Sequence, residues 1–209
     1  MDTLLAGYAA GTLSRPLHVL VAAHLTLAPR SRNYVDALEV LKGDALEAAA
    51  PVPVRDREAK LSAIFDERPD DMPADAASRE PADDLLPAPL RAFVGRPGHA
   101  IPWKTMLPGI KEHAIGSNER GMAHLIAVKP GGRIPVHTHE GTEVTLVLRG
   151  SFSDASGVYR RGDICFADET VDHHPVADEV EGCVCFIVSD APFRLTGRFG
   201  RIVEWLFRR

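Results

Sequence analysis

Residues 135–151 read "PVHTHEGTEVTLVLRGS", and the fold of the chain turns on how this stretch is placed. His137, His139 and Glu143 fall within seven residues and run directly into an apolar segment that ends at Gly150. A strand sends alternate side chains to one face, so His137 and His139 emerge together at about 7 Å spacing, from which two imidazoles converge on one ion. The Glu140-Gly141 pair reads as a tight turn. It starts the next strand at Glu143, whose carboxylate reaches back toward the histidines while "VTLVL" supplies a buried wall.

Two nitrogens and one carboxylate oxygen suit zinc, iron, manganese, nickel or copper. A fourth ligand has to come from a distant strand, and "ADETVDHHPVAD" (167–178) offers His173 and His174. Only one of two adjacent strand residues points inward, and alternation alone does not choose between them. The setting between core strands favours a metal site over a chance run of surface polar residues. No second acid or base stands out beside it: Glu140 sits in the turn, and Asp168 and Asp172 read as solvated loop carboxylates.

Outward from this cluster, residues after Leu85 alternate short apolar runs with glycine and proline: "HLIAVKPGG", "EVTLVLRGSF", "RRGDICFADE", "GCVCFIVSD". Runs of this length and spacing predict a compact antiparallel barrel or sandwich. The tail "GRIVEWLF" (200–207) is apolar enough to pack back as a strand or a short helix. Cys165, Cys183 and Cys185 read as small buried strand residues, since residues two apart share a strand face and an odd count gives no disulfide framework. Trp103, Phe152 and Phe166 are candidates for lining a pocket, with core packing the simpler role for each.

The first fifty residues read as helices. Asp2 is a cap for a helix presenting Leu5, Tyr8 and Ala9 and ending near Gly11. Ser14 and Pro16 open a second, with Leu17, Leu20, Val21, His24 and Leu25 at helical spacing. Pro29 opens a third carrying Tyr34, Leu38, Leu41 and Ala45, in which Gly43 is a weak point, and "REAKLSAIFDE" (57–67) gives a fourth. Helices this short bury their stripes better against a partner than against one another, which points to a binding module.

Residues 69–84, "PDDMPADAASREPADD", have the composition of an extended acidic Pro/Ala linker. The expected architecture is two domains: a small all-α helical domain over 1–68, that linker, and an all-β barrel over 85–209.

The net charge of −5 is uneven: 8 basic and 9 acidic residues over 1–68, 1 and 6 over 69–84, 15 and 14 over 85–209. The acidity lies in the linker and no basic face asks for nucleic acid. The start "MDTLLAGYAAGTLSRP" lacks a basic segment followed by an unbroken apolar run, and no window approaches the roughly 20 apolar residues of a membrane span. A cytoplasmic protein without a membrane partner is the expectation.

"PVHTHEGTEVTLVLRG" followed by "GDICFADETVDHHP" resembles the two cupin motifs. With "LLAGYAAGTL", "VAAHLTL" and "SDAPFRL", nearly the whole chain is similar to the ChrR-like anti-sigma factors, in which a helical anti-sigma domain precedes a cupin (jelly-roll) barrel. The resemblance implies one zinc in the cupin domain, held by His137, His139, Glu143 and His173. It also implies a function: the helices grip an ECF-type sigma factor and block its access to RNA polymerase core, and the cupin is the half that responds to oxidative stress. The apolar stripes supply the candidate sigma contacts, Leu20, Leu25, Tyr34, Leu38, Leu61 and Phe65.

One departure stands out. Zinc-binding anti-sigma domains carry a histidine, three residues, a cysteine, two residues and a second cysteine, where this chain has His24, Ala28 and Ser31. Neither alanine nor a neutral hydroxyl replaces a thiolate. His18 and His24 point about 240° apart around a helix. No zinc is expected in residues 1–68, and His24 reads as a satisfied or partly exposed helix residue. Two other functions fit a cupin site: a metalloenzyme such as an oxygenase or isomerase, and a small-ligand sensor. Neither accounts for the helical extension.

Overall fold

The computed structural model describes residues 1–66, 85–118, 121–191 and 193–195; the expected linker and the tail at 200–207 lie outside the described residues. Four helices occupy the N-terminal part, α1 (Asp2–Ala10), α2 (Arg15–Leu27), α3 (Arg32–Glu47) and α4 (Arg57–Asp66). Asp2 stands inside the first turn of α1, where a carboxylate suits the helix dipole, and its side chain makes no cap hydrogen bond. Gly11 ends α1 in the left-handed region at φ 70°. Ser14 is the residue before α2, but its hydroxyl does not cap. Pro29 starts a single 3-10 turn, Pro29–Ser31, and α3 begins at Arg32 and runs through Gly43.

A fifth helix, α5 (Ala88–Val94), precedes ten strands. The strands are β1 (Lys104–Leu107), β2 (Ile110–Asn118), β3 (Gly121–Val128), β4 (His137–His139), β5 (Glu143–Asp154), β6 (Gly157–Arg160), β7 (Ile164–Ala167), β8 (Val176–Ala177), β9 (Cys183–Ser189) and β10 (Phe193–Leu195). All their pairings are antiparallel, in the order β1-β2-β3-β9-β5-β6, with β7 and β8 also on β5 and a separate β4-β10 pair. The long strand β5 serves both walls: Glu143–Gly150 pairs with β9, and Ser151–Asp154 with β6.

The helical part rests on the barrel. α2 packs on α5 and on strands β5 and β9, and α1 packs on α2 and α3. Leu20, Val21 and Leu90 share one fully buried cluster with Leu125, Leu146, Leu148 and Phe186 of the sheet. The opposite faces of the same strands send Val147, Cys165, Cys183 and Cys185 into a second cluster inside the barrel, with Phe152. Every residue of β9 is therefore buried, and "CVCFIVS" shows no polar alternation because both of its faces are covered. All three cysteines lie in this interior and are free thiols.

This packing bears on the expected sigma contacts. Leu20 and Leu25, expected among the sigma contacts, are 0% and 2% exposed, because the barrel covers the α2 stripe. The stripes of α3 and α4 are not covered in this way. Val35 is the one buried residue of α3, Leu38 and Leu61 are half-buried, and Tyr34, Leu41, Ile64 and Phe65 are exposed.

His24 joins the two parts by hydrogen bonds. Its Nδ1–H donates to the carbonyl of Gly162 at 2.7 Å, which leaves Nε2 to accept the Ser31 hydroxyl at 2.8 Å. Gly162 has φ 93° and sits against Leu27, at a turn where a side chain would be strained. Ser31, one of the two residues that depart from the zinc motif, thus makes a side-chain hydrogen bond with His24 at the end of α2.

Leu20→Ala is expected to destabilise the protein by about 2–5 kcal/mol, a cost typical of emptying a core leucine site, while Leu41→Ala changes stability by less than about 0.5 kcal/mol. Denaturant unfolding of the two variants checks this; similar losses at both positions would contradict the packing.

Candidate metal centre

β4 is only three residues long, yet it is fixed on both sides. β10 pairs with it in register Phe193↔His139 and Leu195↔His137. On its other side His137 and His173 exchange both backbone hydrogen bonds, at 3.2 and 3.0 Å. That pairing decides the parity question: His173 lies opposite His137 with its side chain buried, and His174 is exposed. His137, His139 and His173 are 6%, 2% and 6% exposed.

The three rings converge through their Nε2 atoms. His173 Nε2 lies 3.0 Å from that of His137 and 3.1 Å from that of His139. Nitrogens around a tetrahedral zinc are separated by about 3.4 Å, given metal–nitrogen bonds of about 2.0–2.1 Å. The outer nitrogens fix the tautomers of two rings: His137 Nδ1–H donates to the Pro135 carbonyl at 2.8 Å, and His173 Nδ1–H to Asp154 Oδ2 at 3.1 Å. Both Nε2 atoms then carry lone pairs that face each other with no proton between them. A cation resolves that conflict, so the residues fit a bound metal.

Electrostatics agree. Burial, reinforced by the neighbouring histidines, lowers His137 to about 4, and burial followed by His173 lowers His139 to about 4. Both rings are neutral near pH 7, the form that ligates. Glu143 is pushed the other way, up to about 7, by burial, against a lowering hydrogen bond from Thr145.

Glu143 does not join the three-nitrogen cluster among the described residues. Its Oε1 accepts from the Thr145 hydroxyl at 3.0 Å, and its Oε2 lies 3.6 Å from His139 Nδ1, a buried atom with no hydrogen-bond partner. Glu140, Asp168 and Asp172 are exposed, as their loop reading implied. The acid that does touch the cluster is Asp154, whose carboxyl is 1% exposed. Its Oδ1 also accepts from the backbone N–H of Ser156 at 2.8 Å and of Gly157 at 3.2 Å. The sequence signal for Asp154 was the turn "DASG", which explains an aspartate there without any site.

Two of the interior cysteines are held as thiols, while the hydrogen bond with Cys185 lowers the third, Cys183. Burial pushes the Cys165 thiol up to about 11, and Cys185 is raised well above its ordinary value by its hydrogen bond with Cys183 and by burial. Trp103, Phe152 and Phe166 do not meet in one pocket: Trp103 packs on the helix-side cluster, Phe152 belongs to the barrel interior, and Phe166 is exposed.

An antiparallel barrel with a histidine cluster that could hold a metal ion and a helical module on its wall is a cupin-type protein with an appended α-helical domain. The family described as the ChrR cupin-like domain matches residues 94–191. The anti-sigma-E factor ChrR of Cereibacter sphaeroides is 35% identical over 207 residues, covering 99% of this chain and 96% of that protein. The chain belongs to the ChrR family of anti-sigma factors.

The similarity extends to structure. ChrR in the crystal structure of Rhodobacter sphaeroides SigE in complex with the anti-sigma ChrR matches with a TM-score of 0.78 at 34% identity, over 91% of this chain and 97% of that one. An RmlC-like cupin of Shewanella frigidimarina, at 28% identity, covers 45% of this chain and 87% of its own, with a TM-score of 0.40.

The metal-free protein is expected to lose stability as pH falls from about 6.5 toward 4. His137, His139 and His124, the last lowered to about 4 by burial, bind fewer protons folded than unfolded over that window. Glu143 opposes them, since its raised value makes the folded state bind more protons between about 4.5 and 7. Glu112, also raised by burial, opposes them in the same sense, and three groups against two leave the histidines dominant. Unfolding midpoints measured with chelator present at pH 7.5 and pH 5 test the sign; greater stability at pH 5 would refute it.

Proposed function

We propose that this protein is a regulator that binds and inhibits an ECF-type sigma factor in the cytoplasm, with a zinc-loaded cupin barrel as its stress-responding half. Family membership supports the anti-sigma role. The observation that carries the contact surface is the apolar face left on α3, on α4 and between them. Leu41 is 63% exposed, Leu46 76%, Val52 84%, Ile64 62% and Phe65 82%. Large apolar residues left exposed in such number on two successive helices support a protein-binding surface. Tyr34, Leu38, Leu61 and Phe65 belong to this face. Leu20 and Leu25 act from behind it, as the core that holds α2 to the barrel.

The loss of the zinc motif around His24 does not undo this reading. The helical part is held by its shared core with the barrel and by the His24 contacts to Ser31 and Gly162. Such packing substitutes for the folding energy that a structural metal gives a small domain.

In the barrel, zinc would be held by His137, His139 and His173, with Glu143 as the fourth ligand. The metal would supply a cross-link between β4, the start of β5 and the segment carrying His173. Glu143 is a carboxyl whose charge is disfavoured by burial, and a neighbouring cation removes that penalty. Three histidines and a glutamate close a tetrahedral site, which suits a structural or sensing centre better than turnover. A responsive role in oxidative stress follows from the family resemblance.

The test is co-purification of the tagged full chain with the ECF sigma factor encoded beside its gene, with metal determined on the same sample. About one zinc per chain and a stable complex are expected. Leu41→Asp with Phe65→Asp is expected to weaken the complex at least about tenfold, or roughly 1.4 kcal/mol, without shifting the unfolding midpoint of the free protein. No association, together with iron in the barrel, would favour a cupin enzyme instead.

A further inference from the structure

The aspartate that ends β5 does more than shape a turn. The hairpin from β5 to β6 needs an acceptor for the N–H groups of Ser156 and Gly157, and Asp154 Oδ1 meets both. An asparagine or a serine performs that task equally well, since a single neutral oxygen suffices. The second oxygen, Oδ2, faces inward to His173 Nδ1, and the carboxyl is almost wholly buried. A carboxyl group sealed away from water is a poor choice for a turn alone, because burying it costs more than burying an amide or hydroxyl.

We infer that Asp154 is the positioning residue of the metal centre, holding His173 in the Nδ1–H tautomer with Nε2 aimed at the ion. This rests on the metal reading above. The chemistry runs through one proton. A neutral imidazole carries one N–H, and a carboxylate opposite Nδ1 keeps it there, which leaves the Nε2 lone pair for the metal. The backbone pairing of His173 with His137 sets where the ring starts from, and Asp154 sets its rotation. His137 gets the same service from the Pro135 carbonyl. His139 has no comparable partner on its outer nitrogen. Asp154 is thus the side chain that orders a ligand of this cluster from outside it, and carboxylate partners of this kind raise the basicity of a ligating imidazole.

Asp154→Asn separates the two roles. The amide oxygen still accepts from Ser156 and Gly157, but the amide NH2 now faces His173 and demands an acceptor at Nδ1. The ring proton is driven to Nε2, where it blocks the metal. On the full chain, chelator competition with zinc is expected to show affinity about 10- to 100-fold weaker in Asp154→Asn than in the wild type. The unfolding midpoint of the metal-free variant is expected to stay close to the wild-type value. Zinc affinity within twofold of wild type would overturn the inference and leave Asp154 as a turn residue.

Imidazole nitrogen NMR on the wild-type chain gives a second readout that does not depend on how the variant folds. A proton on His173 Nδ1 is expected with and without zinc, and a wild-type His173 protonated at Nε2 without metal would overturn the inference. Wild-type protein that takes up no zinc is a different failure: it overturns the metal reading, and the inference with it.

Discussion

Strand β9, and β5 from Val144 to Leu148, are buried on both faces, and the remaining architecture depends on that constraint. Leu146, Leu148 and Phe186 look outward to α2 and α5, while Val147, Cys183 and Cys185 look into the barrel. A sheet wall with only one apolar face could hold a helix or enclose a core, but not both. Each fully buried leucine on the shared wall is worth about 1.5–3 kcal/mol relative to leaving it exposed, so detaching the helices would cost several such terms. The helical part therefore shares its core with the barrel. α3 adds only Val35 and part of Leu38 to that core and α4 adds no buried residue, so most of their apolar residues stay exposed.

A short stretch of chain touches both halves of the molecule. Asp154 reaches His173 at one end of strand β6, and at the other end the Gly162 carbonyl accepts from His24 at the end of α2. β6 itself is held to β5 by the register Ser151↔Arg160 to Asp154↔Gly157. The Arg161 Nε–H donates to the Leu148 carbonyl and the Gly162 N–H to the Val147 carbonyl, anchoring the turn that carries His24's partner. Histidine cluster and helical module are thus tied to opposite ends of one hairpin strand.

Much of this was legible in the sequence. Alternation placed His137 and His139 on one face, helical spacing and turn residues marked out the N-terminal helices, and the cupin-like motifs led to His173. Alternation also failed at an identifiable place. Counting from Glu143, Asp154 falls on the opposite face of an unbroken strand. β5, however, shifts register between Val147 and Arg149. Interior positions therefore change from odd numbers, as at Val147, to even ones, as at Phe152 and Asp154. An extra residue in a strand reverses the facing of everything after it, and the sequence carries no clear mark of where it falls. The burial of Leu20 and Leu25 was not legible for another reason. Helical periodicity reports that a stripe is apolar but not what covers it, and α2 met the barrel before any partner.

The central claim is that the protein grips a sigma factor with the α3–α4 face while α2 stays sealed against the barrel. Hydrogen exchange of the free chain and of its complex with the cognate ECF sigma factor tests this most directly. The account predicts new protection across α3 and α4, with exchange in α2 and in β5 and β9 unchanged. Protection gained at α2 with exchange rising in β5 and β9 would mean that the helices leave the barrel to bind, and would contradict it.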